Sequence, residues 1–228
     1  MPMEMNSRLS KKQTIAVLIW LPVHILALPY LLSIPMMMGF FSDMTANLLV
    51  YVIGAAYMLL VLRRFFRQDF DTLCDRPLRV LLTVVGAYWL ARFGEVLISL
   101  LLDALSVTDS NGNNDAVIEM AKANIGPTAA MAVILAPIVE EGLFRAGIFG
   151  LIRRKSRFWA YTASILLFGL YHVWQSALYD PRQLIFILQY IPASFALCYT
   201  YERTDSIWGS IFLHMLTNGV SMLAVTMV

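Results

Sequence analysis

Seven apolar runs decide what this chain can fold into: residues 14–40, 45–62, 80–104, 127–152, 158–177, 183–200 and 206–227. A helix that crosses the hydrocarbon of a bilayer needs about 20 mostly apolar residues. Seven such runs in 228 residues leave no room for a separate soluble domain. Composition agrees, with 59% hydrophobic and 14% charged residues, against about 25% charged in an average soluble domain. The expected fold is all-α: a polytopic transmembrane helix bundle of about seven spans forming one domain over 1–228. Within it, three N-terminal spans (1–105) precede an outer loop (106–126) and a four-span core (127–228). Nothing in the pattern suggests a nucleic-acid partner. The first run follows Arg8, Lys11 and Lys12, yet it far exceeds the 7–15 apolar residues of a secretory signal. It reads as a retained span, bent by Pro22, Pro29 and Pro35.

Basic residues sort by side. With the N-terminus in the cytoplasm, one face collects Arg8, Lys11, Lys12, Arg63, Arg64, Arg67, Arg76, Arg79, Arg153, Arg154, Lys155, Arg157 and Arg203. The other receives only Lys122 and Arg182. This is the bias of the positive-inside rule, and it fits an odd number of spans in a cell membrane. The only long polar linker, SVTDSNGNNDAVIEMAKAN, reads as a solvated connector. Cys74 and Cys198 stand in a charged loop and an apolar run, so no disulfide and no CxxC metal site is expected.

Two arginines fall inside spans, Arg92 and Arg145. Glu95 follows Arg92 by three residues and Glu141 precedes Arg145 by four, spacings that put each pair on one helix face. A lone charge in hydrocarbon costs about 2.5–3.5 kcal/mol even on the lenient insertion scale, so pairing is expected of both. Arg92 and Glu95 read as a structural pair. Glu140 is different: adjacent to Glu141, it projects about 100° away and has no mate on its own helix. Pro137, just upstream, lacks an N–H and frees local backbone groups.

Partners for Glu140 must come from other spans. His172 lies four residues after Phe168, and Asn218 four after His214, so each pair shares a face. His24, among the prolines of the first span, reads as a satisfied or cavity-facing polar residue. A carboxylate, two imidazoles and a carboxamide converging in a partly dry cavity suit hydrolysis: the glutamate as general base for water, N–H groups as oxyanion donors. Ser164 and Ser210 are not placed as nucleophiles and read as groups bonded to backbone or lining the cavity. The same residue types leave other chemistries open. Glu140, His172 and His214 could ligate zinc across three helices, and a proton or ion relay in a transporter would use the same set.

Three motifs in order narrow these choices. EEGLFRAG at 140–147, FGLYH at 168–172 and HMLTN at 214–218 resemble the EExxxR, FxxxH and HxxxN motifs of the CAAX prenyl endopeptidase type II family, also called the CPBP (bacteriocin-processing and immunity) family. The likeness covers roughly residues 110–222. It implies an intramembrane endopeptidase that cuts a membrane-associated peptide or protein. By that resemblance Glu140 is the base, supported by Glu141 and Arg145; His172 positions water; His214 and Asn218 stabilise the oxyanion; Phe168 packs the site. No cofactor is favoured, with zinc as the alternative. Some relatives act instead as immunity or scaffold proteins that bind a membrane partner. Two departures from the usual pattern, Gly142 and the Ala146–Gly147 order after the arginine, are expected to widen or loosen the turn.

Overall fold

The computed structural model describes residues 5–227, and among them nine helices and no strand occur. Seven are long: α1 (Lys11–Met37), α2 (Asp43–Val61), α4 (Pro77–Ala104), α6 (125–153), α7 (Arg157–Tyr179), α8 (Pro181–Thr204) and α9 (Ile207–Thr226). Two short ones lie between them, α3 (Arg63–Asp75) and α5 (Gly112–Ala123). Five helices, α1, α2, α4, α8 and α9, are long and apolar enough to cross a membrane. The other two long helices, α6 and α7, carry the first two motifs. The chain is a multi-pass integral membrane protein built as one helical bundle.

Side chains at the loop ends start the helices. Ser10 and Gln13 form a capping box at α1; Ser42, Ser156 and Ser206 accept from backbone N–H groups at α2, α7 and α9. Each satisfies a donor that a helix N-terminus would otherwise leave open. The prolines of the first span do not break it. The helix passes through them by widening into a π turn at Val23–Ala27.

Contacts at the two ends of the bundle agree with the sorting of charge. At one end Asp205, in the left-handed conformation (φ 53°), accepts from the backbone N–H groups of Asn6 and Ser7. There too Asp69 of α3 accepts from Ser7 and from the Ile207 N–H at the start of α9. The helix α3 is amphipathic, with Phe65, Phe66 and Asp69 buried and Arg63, Arg64 and Arg67 exposed, as befits a helix lying along an interface. At the opposite end the 106–126 linker does not behave as a connector. Asn111 caps α5, whose face lines an interior cavity through Asn113, Val117 and Ile118. The apolar residues among the polar ones give that helix a side to bury. Both cysteines are free.

The axis of the bundle is α6, buried at every residue from 136 to 150. Two of its glycines admit neighbours closely. A Cβ on Gly142 would lie 2.9 Å from Sδ of Met58 in α2, and one on Gly147 2.7 Å from Cγ1 of Val17 in α1. The motif departures at these positions are therefore where α1 and α2 press against the central helix. The widening itself is also present, as π-helical turns over Ala130–Leu135 and Glu141–Phe149.

Candidate active site

The wide turns of α6 have a local cause and a local use. A π turn pairs each carbonyl with the N–H five residues on, and five residues after Ala132 stands Pro137, which has none. The Asn218 amide donates to that Ala132 carbonyl at 2.8 Å. Asn218 thus ties α9 to the proline turn while lining the cavity beside it. In the next π segment Glu141 and Arg145 are both fully buried, their ion pair at 3.3 Å. Glu141 also accepts from Ser210 and from Nδ1 of His214, the latter at 2.8 Å. Arg145 donates to Ser194 Oγ at 3.0 Å and lies 4.2 Å above the Phe168 ring. Phe168 packs the site as a buried ring under that guanidinium.

Glu140 points elsewhere, as the 100° offset requires. Its Oε2 has no hydrogen-bond partner among the described residues, although it is buried. Two imidazole nitrogens flank that oxygen, Nε2 of His172 and Nε2 of His214, each at 3.8 Å. Its Oε1 receives the Tyr51 hydroxyl at 3.4 Å, and Tyr51 is in turn 3.0 Å from the Tyr171 hydroxyl. Glu140, His172, His214 and Asn218 line one cavity of about 580 Å³.

The protonation pattern follows from the partners. His172 Nδ1 meets the Phe168 carbonyl at 2.8 Å, which can only accept, so Nδ1 carries the proton. His214 Nδ1 meets the Glu141 carboxylate, paired with Arg145, so it too donates. When neutral, both rings therefore turn a bare Nε2 toward Glu140. The site presents three acceptors around one gap.

The motif residues come together, and several groups beyond the motifs join them. Tyr51, Tyr171 and Tyr190 reach the glutamate or His172, while Ser194 and Ser210 complete the buried ion pair. Ser210 is four residues before His214, and that shared face was its signal. Ser164 donates to the Phe144 carbonyl. Arg92 and Glu95 do pair, at 2.5 Å, as expected, and both also line the cavity. His24 is not satisfied: it is buried, its Nδ1 has no partner among the described residues, and its ring stands edge-on to Tyr51 outside the cavity. The tight approach of Gly54, where a Cβ would meet that ring at 2.9 Å, closes off room for one.

Comparison with known proteins follows the same residues. Residues 123–220 match the type II CAAX prenyl endopeptidase Rce1-like family. That interval holds all three motifs and every group around Glu140 except Tyr51. Among curated relatives, "Putative membrane peptidase YdiL" of Bacillus subtilis (strain 168) is 31% identical over 107 residues, 46% of this chain and 40% of the relative. "UPF0177 protein YaiF" of Lactococcus lactis subsp. lactis (strain IL1403) is 39% identical over 88 residues, 37% of this chain and 34% of the relative. The aligned part is thus less than half of either relative's length. No solved structure matches the chain.

Proposed function

We propose that this protein is an intramembrane endopeptidase in which Glu140 activates water against a peptide bond of a membrane-associated substrate. One observation carries the reading: a buried carboxylate oxygen with no hydrogen-bond partner among the described residues, held between two imidazole nitrogens in a cavity large enough for a peptide segment. A buried polar atom without a partner is costly, and a water in that gap relieves it.

The steps follow from the tautomers. A water hydrogen-bonds through one O–H to Glu140 and through the other to the bare Nε2 of His172, which aims its lone pair. The water oxygen attacks the scissile carbonyl carbon while Glu140 takes the proton. The carbonyl oxygen becomes an oxyanion and needs a donor. His214 meets that need once its Nε2 has taken a proton from water entering the cavity, because Glu141 accepts from Nδ1 and balances the charge. The remaining amide hydrogen of Asn218 is a second donor. Glu140 then passes its proton to the leaving nitrogen, and the carbon–nitrogen bond breaks.

The cavity lining supplies the donor types that zinc takes. The donors Glu140 Oε2, His172 Nε2 and His214 Nε2 are the right types, and each ring is held through Nδ1 as metal-bound histidines are. Ligands at about 2.0–2.1 Å in a tetrahedral site stand roughly 3.3 Å apart, whereas each histidine Nε2 here stands 3.8 Å from the Glu140 oxygen. That spacing favours groups sharing a water. If zinc binds, these three residues hold it, and it supplies a water ionised near neutral pH.

The test is cleavage of membrane-anchored peptides by the purified, reconstituted protein and by His172→Ala, with elemental analysis of the active fraction. Cleavage lost in His172→Ala with well under one zinc per chain supports the reading. Equal cleavage by the variant refutes the site, and about one zinc per chain that disappears in His172→Ala refutes the metal-free form. An immunity or scaffold role predicts a membrane partner that co-purifies with Glu140→Ala as with wild type.

A further inference from the structure

The asparagine-rich start of the lid helix α5 has no part in the chemistry above, yet its hydrogen bonds converge on one residue. Tyr190 of α8 accepts at its hydroxyl from Asn111 Nδ2 and Asn113 Nδ2, both at 3.1 Å, and donates to Asn114 Oδ1 at 3.3 Å. A phenol has one proton and two lone pairs, so three lid asparagines fill its capacity. The other end of Tyr190 touches the site. Its ring stacks on His172 with centroids 4.4 Å apart and planes 28° from parallel. Phe168 covers His172 at 4.5 Å, tilted by 51°, and Tyr171 meets it edge-on at 5.2 Å.

The hydrogen bond from His172 Nδ1 to its own helix fixes the tautomer, and one such bond alone leaves the ring able to rock. Stacked neighbours remove that freedom. Of these, Phe168 and Tyr171 sit on the same helix as His172, whereas Tyr190 arrives from α8 and is anchored by the lid. The lid's own start is pinned as well: the Gly112 N–H donates to Gln183, and Gln183 donates to the Ser110 carbonyl. A Cβ on Gly112 would lie 2.6 Å from Ser176 Oγ. The lid therefore closes tightly on α7 and α8, directly over the cavity that Asn113 and Asn114 help to line.

We propose that Tyr190 is a positioning residue through which the closed lid seats His172 for reaction. With α5 in place, three asparagines hold the phenol and its ring holds the imidazole. When α5 lifts to admit a peptide, the phenol loses its partners and His172 is released until the lid returns. The catalytic consequence rests on the peptidase reading above; the mechanical link between α5 and His172 does not.

The experiment separates the two. Purified full-length protein, Tyr190→Phe, the pair Asn113→Ala/Asn114→Ala, and all three changes together are treated with diethyl pyrocarbonate, and modification of His172 and His214 is followed by mass spectrometry. Tyr190→Phe keeps the stacked ring and removes only the lid's grip. The expected result is His172 modified roughly 2–10-fold faster in each variant, the range set by the net worth of a hydrogen bond. The combined variant should be no faster than the faster parent, with His214 unchanged as the internal reference. An unchanged His172 rate, or effects that multiply in the combination, overturns the proposal whether or not the protein cleaves peptides. With a cleavable peptide, Tyr190→Phe should lower kcat with KM within about twofold, the split expected of a group that acts on the reacting step. A raised KM at constant kcat would make Tyr190 part of the peptide's path instead.

Discussion

Adjacent glutamates in one helix should respond in opposite ways to the same substitution. Glu141→Gln removes the negative charge that faces Arg145 in a fully buried pair and leaves the guanidinium uncompensated. Breaking a buried pair from one side costs about 3–5 kcal/mol, a large part of the 5–15 kcal/mol that stabilises a typical domain. The amide also places an N–H among donors, since Ser210 and Nδ1 of His214 both point at this carboxylate. Glu140→Gln meets none of this: Oε2 has no donor to lose among the described residues, and a neutral amide costs less to bury than a carboxylate. Thermal unfolding in detergent, followed by tryptophan fluorescence with both variants beside wild type, reads the contrast. The expected result is a marked fall in melting temperature for Glu141→Gln and an unchanged or raised one for Glu140→Gln. Adding Arg145→Met to Glu141→Gln should recover part of the loss, because it removes the stranded charge. Equal destabilisation by the two single changes would refute the division of labour between these residues.

Asp69 makes stability depend on pH. Burial pushes its carboxyl from 3.8 up to about 7, against the opposing hydrogen bonds from Ser7 and the Ile207 N–H. A carboxyl raised in the folded state contributes stability that is present at low pH and lost as pH rises through about 7. Relative to Asp69→Asn, wild type should therefore lose about 3 kcal/mol between pH 5 and pH 8, at about 1.4 kcal/mol per pH unit up to pH 7, and a gap that does not change with pH contradicts this. A Cβ on Gly94 of α4 would lie 2.7 Å from Cβ of Pro192 in α8, whereas one on Gly86 of the same helix would meet nothing within 4 Å among the described residues beyond its own helix and chain neighbours. Gly94→Ala should cost about 1–3 kcal/mol by overpacking and Gly86→Ala nothing; matched melting temperatures for the two would refute the close approach.

Much of this was legible in the residues because the decisive signals are local to single helices. Glu141 and Arg145, Phe168 and His172, and His214 and Asn218 each repeat at a one-turn spacing, and the isolation of Glu140 follows from its neighbour's direction. The seven apolar runs foreshadow the seven long helices to within a few residues, and the caps at Ser10, Ser42, Ser156 and Ser206 explain where four of those helices begin. What could not be read is what depends on one helix meeting another. Tyr51 and Tyr190 lie 89 and 50 positions from Glu140 in the chain, and no spacing announces that one bonds the carboxylate and the other stacks on His172. The place of α5 was hidden for a related reason: its polar residues look solvated until α8 supplies partners for Asn111, Gly112 and Asn113. The packing of Met58 and Val17 against Gly142 and Gly147 likewise belongs to α1 and α2, whose sequences carry no motif.

The most direct measurement of the central claim is the rate of peptide cleavage by Glu140→Gln in liposomes, at a protein dose matched to folded wild type by its melting curve. An amide of the same shape keeps the cavity and the Tyr51 contact but cannot take a proton from water. The account predicts a folded protein whose cleavage falls by at least the roughly 10²–10⁴-fold that a positioned general base contributes. A folded Glu140→Gln that cuts the peptide at the wild-type rate would contradict it.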